Sequence, residues 1–191
     1  MKTVLIWCLL SAVGLSQGPI GTLETDQGNG MASVIEVEQA ETNGGHLAVA
    51  VSAAHVVENA TVIKLKLDDG RVIKNCSVLV VDRENDVCLV RVWVPRGFKP
   101  LALAKDAVTH GHKLRMVGLK LRTMAGLAST PTTENRIYAD IELQPGDSGG
   151  PVLNESGELV GVISGGWFWY SEKTWPARTS NLKPIRSMLQ R

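Results

Sequence analysis

Three residue settings in this 191-residue chain can do chemistry together: a serine framed by glycines, a histidine closing an apolar run, and an aspartate opening another. The turn Gly146-Asp147-Ser148-Gly149-Gly150-Pro151 allows backbone angles closed to other residues and keeps side chains away from an approaching carbonyl. A serine hydroxyl is a weak nucleophile until a base takes its proton. The base in turn needs an anion to hold its tautomer and to stabilise the imidazolium that forms. Ser52-Ala53-Ala54-His55-Val56-Val57 offers His55 as that base, and Asn85-Asp86-Val87-Cys88-Leu89-Val90 offers Asp86 as its partner. Asp82 is the alternative partner, although no run of small apolar residues follows it.

These side chains need a scaffold, and the chain reads as all-β. Ile63, Leu65 and Leu67 alternate with Lys64 and Lys66, as a half-buried strand requires. Asp68-Asp69-Gly70 supplies a tight turn, and residues 71–81 read as the returning strand of a hairpin. Further apolar runs at 31–37, 47–53, 87–94, 113–119, 136–143, 151–153 and 159–164 point to barrels or a sandwich. Two prolines and a glycine in residues 95–100 mark a crossover between two β halves. At the end of the chain, Thr179-Ser180-Asn181 offers caps for a helix in which Leu182, Ile185 and Leu189 share a face.

The order of the three residues narrows the chemistry. Gly146-x-Ser148-x-Gly150 also fits the nucleophile elbow of an α/β-hydrolase, but that fold places its histidine after the serine, and the last histidine here is His112. The order His, Asp, Ser belongs to the chymotrypsin-like arrangement, whereas the subtilisin-like one runs Asp, His, Ser.

The segments around His55, Asp86 and Ser148 resemble those of trypsin-like serine proteases, from about Gly28 to the C-terminal helix. Within that clan they are most similar to the protease domain of the HtrA/Deg group. The likeness rests on Gly28-Asn29-Gly30, Ala54-His55-Val56-Val57, Asp69-Gly70-Arg71, Asp86-Val87-Cys88-Leu89-Val90 and Ala139-Asp140. The resemblance implies two six-stranded antiparallel β-barrels with a short C-terminal helix, the site lying between the barrels. It places a first barrel at about 20–94, a second at about 101–180 and the helix at about 181–191. It implies Ser148 as nucleophile, His55 as base and acid, Asp86 as orienting group, and the N–H groups of Gly146 and Ser148 as oxyanion donors. Ser164, Gly165 and Gly166 would pair with an extended substrate, and Glu142, six residues before the serine, would lie at the base of the specificity pocket. There it would select Lys or Arg, unless strand alternation turns it to solvent and leaves an HtrA-like pocket for small aliphatic side chains.

Departures from the pattern carry expectations of their own. Val56 and Gln144 stand where trypsin-type enzymes hold framework cysteines. Asp147 is present, but no Ile-Val-Gly-Gly follows a basic cleavage site, so no N-terminal activation switch is expected and Asp147 is either solvated or paired locally. The chain ends after its helix, an arrangement without a PDZ domain to capture substrate. Trp167-Phe168-Trp169-Tyr170 forms either hydrophobic subsites or a packed hairpin.

Residues 1–16, with Lys2, an apolar stretch and Gly14-Leu15-Ser16, read as a secretory signal that leaves residues 17–191 as the protease domain. A buried first strand is the other reading. Export would leave Cys76 and Cys88 as a possible disulfide, and two reduced thiols on neighbouring strands fit equally well. His46, His110 and His112 read as surface or turn residues, and neither a metal nor a cofactor is expected. The formal net charge of +1 cancels unlike segments: residues 1–90 carry six basic and eleven acidic side chains, residues 91–136 nine and two. That balance argues against a nucleic-acid binder. Expected partners are protein or peptide substrates, in a secreted or periplasmic location, without stable membrane insertion. A polyprotein-processing protease of viral or phage type and a catalytically silent binding protein of the same fold remain the alternatives.

Overall fold

Alternation decides the first strands. In the computed structural model, which describes residues 18–42, 45–129, 132–165 and 177–190, β4 (Ile63–Leu67) buries Ile63, Leu65 and Leu67 and turns its lysines outward. It belongs to a sheet with β1 (Ile20–Thr25), β2 (Asn29–Thr42), β3 (Gly45–Ser52), β5 (Val72–Ile73), β6 (Ser77–Asp82) and β7 (Val87–Pro95), in the order β5-β4-β1-β2-β3-β7-β6. All pairings are antiparallel. The strands β5 and β6 are chain neighbours separated only by residues 74–76 and stand at opposite edges of this sheet, so the first barrel is a seven-stranded half-barrel and not the closed six-stranded one expected. The single strand expected over 71–81 is broken there, where Asn75 takes a left-handed φ of 59° outside the extended range of a regular strand.

The remaining strands are β8 (Lys113–Val117), β9 (Thr123–Ser129), β10 (Arg136–Ala139), β11 (Pro151–Leu153), β12 (Leu159–Gly165) and β13 (Ala177–Asn181). They form a closed barrel in the order β10-β13-β12-β11-β8-β9. The chain passes between the two sheets from Pro95 to Lys113, tied on the way by Leu101 N–H to the Val34 carbonyl and Ala104 N–H to the Leu159 carbonyl.

Several strands of the first sheet read as unbroken apolar runs because both faces are buried. Ala48, Ala50, Cys88 and Val90 point into the first barrel, while Val49, Val51, Val87 and Leu89 join the core that also holds the second barrel. The barrels therefore share an apolar seam, and the ends of β3 and β7 lie along it. Helix α2 (Leu182–Leu189) closes the second barrel, burying Leu182, Ile185 and Met188. The Asn181 side chain caps it, accepting the Leu182 N–H at 2.7 Å.

Register also settles the cysteines. Cys88 lies opposite Val81, whereas Cys76 precedes Ser77 at the far end of β6, so the two are several residues apart along the ladder and beyond disulfide reach. Both are free thiols, and burial pushes that of Cys88 up to about 12. Among the described residues no helix is long and apolar enough to cross a membrane. Residues 1–17 and the aromatic cluster at 167–170 lie outside the described residues.

Candidate active site

The single-turn helix α1 (Ala54–Val57) follows β3 and packs Ala54, Val56 and Val57 into the first core, which leaves His55 facing outward. Its ring Nδ1 lies 3.0 and 2.9 Å from the two carboxylate oxygens of Asp86, and its backbone N–H donates to the same carboxylate at 3.0 Å. Asp86 stands just before β7 with a φ of +53°, a conformation in which aspartate is tolerated far better than most residues. Asp82 is not the partner of His55. Its two oxygens accept the backbone and side-chain N–H groups of Asn85, at 3.0 and 2.7 Å, and so close the turn that leads to Asp86.

The second barrel completes this pair. Ser164, near the end of β12, donates its hydroxyl to Asp86 Oδ2 at 2.5 Å. Sequence reasoning placed Ser164 on a substrate-pairing strand and missed this hydrogen bond. The one available signal was a small hydroxyl residue ending a wholly apolar run. Burial pushes the Asp86 carboxyl upward, but the bonds from His55 and Ser164 outweigh it and hold the group below the usual carboxylate range. The hydrogen bond to Asp86 raises His55 above its ordinary value of 6.5 against the effect of burial, with the charges of Asp86 and Glu58 adding to the rise.

Ser148 arrives from the other side of the seam. Its carbonyl accepts the Met31 N–H at 2.7 Å, and the next N–H, of Gly149, donates to Ile163 at 2.7 Å, so the turn is strapped to β2 and β12. Only glycine fits at 149: φ is +85°, and a Cβ would lie 2.0 Å from the Met31 carbonyl oxygen. Ser148 Oγ and His55 Nε2 make no hydrogen bond among the described residues, so the link between them is open in this structure. Gly146, with φ +93°, and Ser148 point N–H groups that have no acceptor among the described residues. The intervening Asp147 N–H is satisfied by Gln144 at 3.0 Å. Two donors without an acceptor among the described residues thus flank one paired donor.

Asp147 is paired and buried, which decides between the two expectations for it. Only 2% of its side chain is exposed; Oδ1 accepts the Leu119 N–H at 2.9 Å, and Oδ2 accepts the Gln144 N–H at 2.8 Å together with the Arg122 guanidinium. Arg122 and Leu119 belong to the connection between β8 and β9, where Lys120 and Leu121 both take positive φ. The aspartate next to the serine is thus paired with a cation from the same barrel. Arg122→Ala is expected to lower kcat about 100-fold, comparable to losing one oxyanion donor, with KM little changed and Arg122→Lys retaining most activity. Steady-state kinetics on the three proteins checks this.

Glu142 is exposed between buried Ile141 and half-buried Leu143, so its carboxylate is hydrated and not enclosed. Gly165 is half-buried at the end of β12 with φ +151°, and Gly166 lies outside the described residues. Among the described residues no group of three or more His, Cys, Asp or Glu could hold a metal ion.

Residues 37–162 match the family described as trypsin-like peptidase domain. The chain is 32% identical over 129 residues to the periplasmic serine endoprotease DegP of Salmonella typhimurium, and 31% identical over 129 residues to DegP of Escherichia coli K12. Each match covers 59% of this chain and 26% of the relative. It is 26% identical over 160 residues to the chloroplastic Protease Do-like 1 of Arabidopsis thaliana, covering 75% of this chain and 34% of that protein. The chain thus spans about a quarter to a third of the length of these curated relatives. Its fold is similar to the crystal structure of a serine endoprotease from Yersinia pestis, with a TM-score of 0.75 at 14% identity over 92% of this chain and 64% of the other.

Proposed function

From the premise that this chain belongs to the trypsin-like peptidase family, we propose that it is a serine endopeptidase acting through Ser148, His55 and Asp86. The observation that carries this reading is the Asp86-bound imidazole of His55 on a helix whose Val56 meets Gly30 together with the Ser148 carbonyl, in a turn with two N–H groups that have no acceptor among the described residues. His55 Nε2 takes the Ser148 hydroxyl proton as Oγ attacks the scissile carbonyl, and the N–H groups of Gly146 and Ser148 bind the resulting oxyanion. The intermediate collapses to an acyl-enzyme as His55 gives its proton to the leaving amine. Water then attacks the ester with His55 again as base, releasing the acid and restoring Ser148. Asp86 remains ionised throughout and stabilises the imidazolium.

The substrate is proposed to be an extended peptide pairing along the Ser164–Gly165 end of β12. The exposure of Glu142 supports a pocket for small aliphatic side chains over one that selects Lys or Arg. A secreted or periplasmic location is proposed from residues 1–16 and from relatives named as periplasmic. Treating the purified protein with a fluorophosphonate probe and a peptide library tests the assignment. Labelling confined to Ser148, with cleavage after small aliphatic residues, is the expected result; folded protein that neither labels nor cleaves overturns it.

The rate follows the deprotonation of His55, since only the neutral ring accepts a proton. Because the bond to Asp86 raises that pKa, the acid limb of kcat/KM is expected to have its midpoint above 6.5, activity falling as the pH drops through it. A pH–rate profile on a peptide substrate reads the midpoint directly, and a value below 6.5 would contradict the Asp86–His55 bond.

A further inference from the structure

Asp86 adopts a left-handed backbone, which aspartate tolerates, so the direction of its carboxylate depends on what holds the turn before it. The Asp82 carboxylate closes the preceding turn within the first barrel, but this local closure does not fix how the turn sits against the second barrel. That task falls to two residues facing each other across the ladder of the second barrel. Arg136 on β10 and Ser180 on β13 are register partners. Arg136 Nη1 donates to the Asn85 carbonyl at 2.7 Å, and its Nη2 donates to the Glu84 carbonyl. The hydroxyl of fully buried Ser180 donates to the same Asn85 carbonyl. Two successive carbonyls, immediately before Asp86, are thus held by one planar guanidinium, with a serine beside it.

We propose that Arg136 and Ser180 are positioning residues that clamp the Glu84–Asn85 peptide from the second barrel and so set the direction of the Asp86 carboxylate toward His55. The inference deepens the endopeptidase reading and rests on it for its catalytic consequence. A lysine retains the charge of Arg136 but lacks the fork that spans two carbonyls. Ser164 binds Oδ2 of Asp86 from the same barrel, so loosening the clamp shifts a carboxylate held at both its backbone and its side chain. The other charges that act on His55 are those of Asp86 itself and of Glu58 at the end of α1, and neither variant below touches them.

The test compares wild type, Arg136→Lys and Ser180→Ala by peptide hydrolysis, by NMR titration of His55 and by thermal unfolding. Arg136→Lys is expected to lower kcat ten- to a hundredfold, the scale of a small misplacement of a catalytic group. KM should stay within about twofold, and the His55 titration should move down toward 6.5. Ser180→Ala moves both in the same direction by a smaller amount. A fall in unfolding temperature with unchanged kcat and unchanged His55 titration overturns the proposal. If Arg136→Lys does not fold, Ser180→Ala decides alone. If wild type proves inactive, the endopeptidase reading fails, while the His55 titration still reports whether the clamp sets its contact with Asp86.

Discussion

Ser148→Ala is expected to lower kcat about 10⁶-fold while leaving the thermal unfolding midpoint within about 3 °C of wild type. The two halves of that expectation have separate physical causes. The hydroxyl makes no hydrogen bond among the described residues, so its removal leaves no buried group unsatisfied. What holds the turn in place is its backbone, Ser148 carbonyl to Met31 and Gly149 N–H to Ile163, together with the buried Asp147 carboxylate and its three partners. Alanine preserves all of these. Activity loss without stability loss, together with abolished fluorophosphonate labelling, is the signature of a nucleophile. Calorimetry and initial-rate kinetics on the same preparation separate it from a structural role, which would move both.

Asp86→Asn ranks second, with an expected fall in kcat of about 10⁴-fold. The asparagine keeps the left-handed backbone at little cost and still accepts the Ser164 hydroxyl through its carbonyl oxygen, although the His55 backbone N–H loses its acceptor at Oδ1. Its amide turned to His55, however, donates a proton to Nδ1 where the carboxylate accepted one. The ring then carries its own proton on Nε2, the atom that must receive the serine proton. Loss of the anion also removes the cause of the raised His55 pKa, so the residual activity should show its acid limb at lower pH than wild type. A pH–rate profile with unchanged midpoint would show that Asp86 does not govern His55.

Much of this site was legible because each chemical group sits in a short local pattern. The glycines around Ser148, the apolar approach to His55 and the small-apolar run after Asp86 each encode their own geometry. What stayed hidden is long-range. No local signal couples Arg122 to Asp147 or Arg136 to Glu84 and Asn85: the first pair meets only when the second barrel has folded, the second only after the two sheets dock. The excess of positive charge in residues 91–136 includes both of these cations. Strand positions were recoverable where burial is one-sided, as in β4, and also where both faces are buried, as in β3 and β7. Strand β9 escaped because Met124, Ala125, Gly126 and Ala128 supply little contrast between faces. The run expected over 136–143 ends at Ala139, since residues 140–145 leave the ladder to build the turn before Ser148.

The division of the chain between two sheets also sets a clock during synthesis. His55 and Asp86 belong to the part made first, Ser148 to the part made later, and Ser164, Arg136 and Ser180 reach Asp86 only once the second barrel has closed. At roughly 5–20 residues per second, several seconds of translation separate the base from its nucleophile. Under the proposed mechanism, a ribosome-bound first barrel is a relay with nothing to activate, and hydrolytic competence is the last property the molecule acquires.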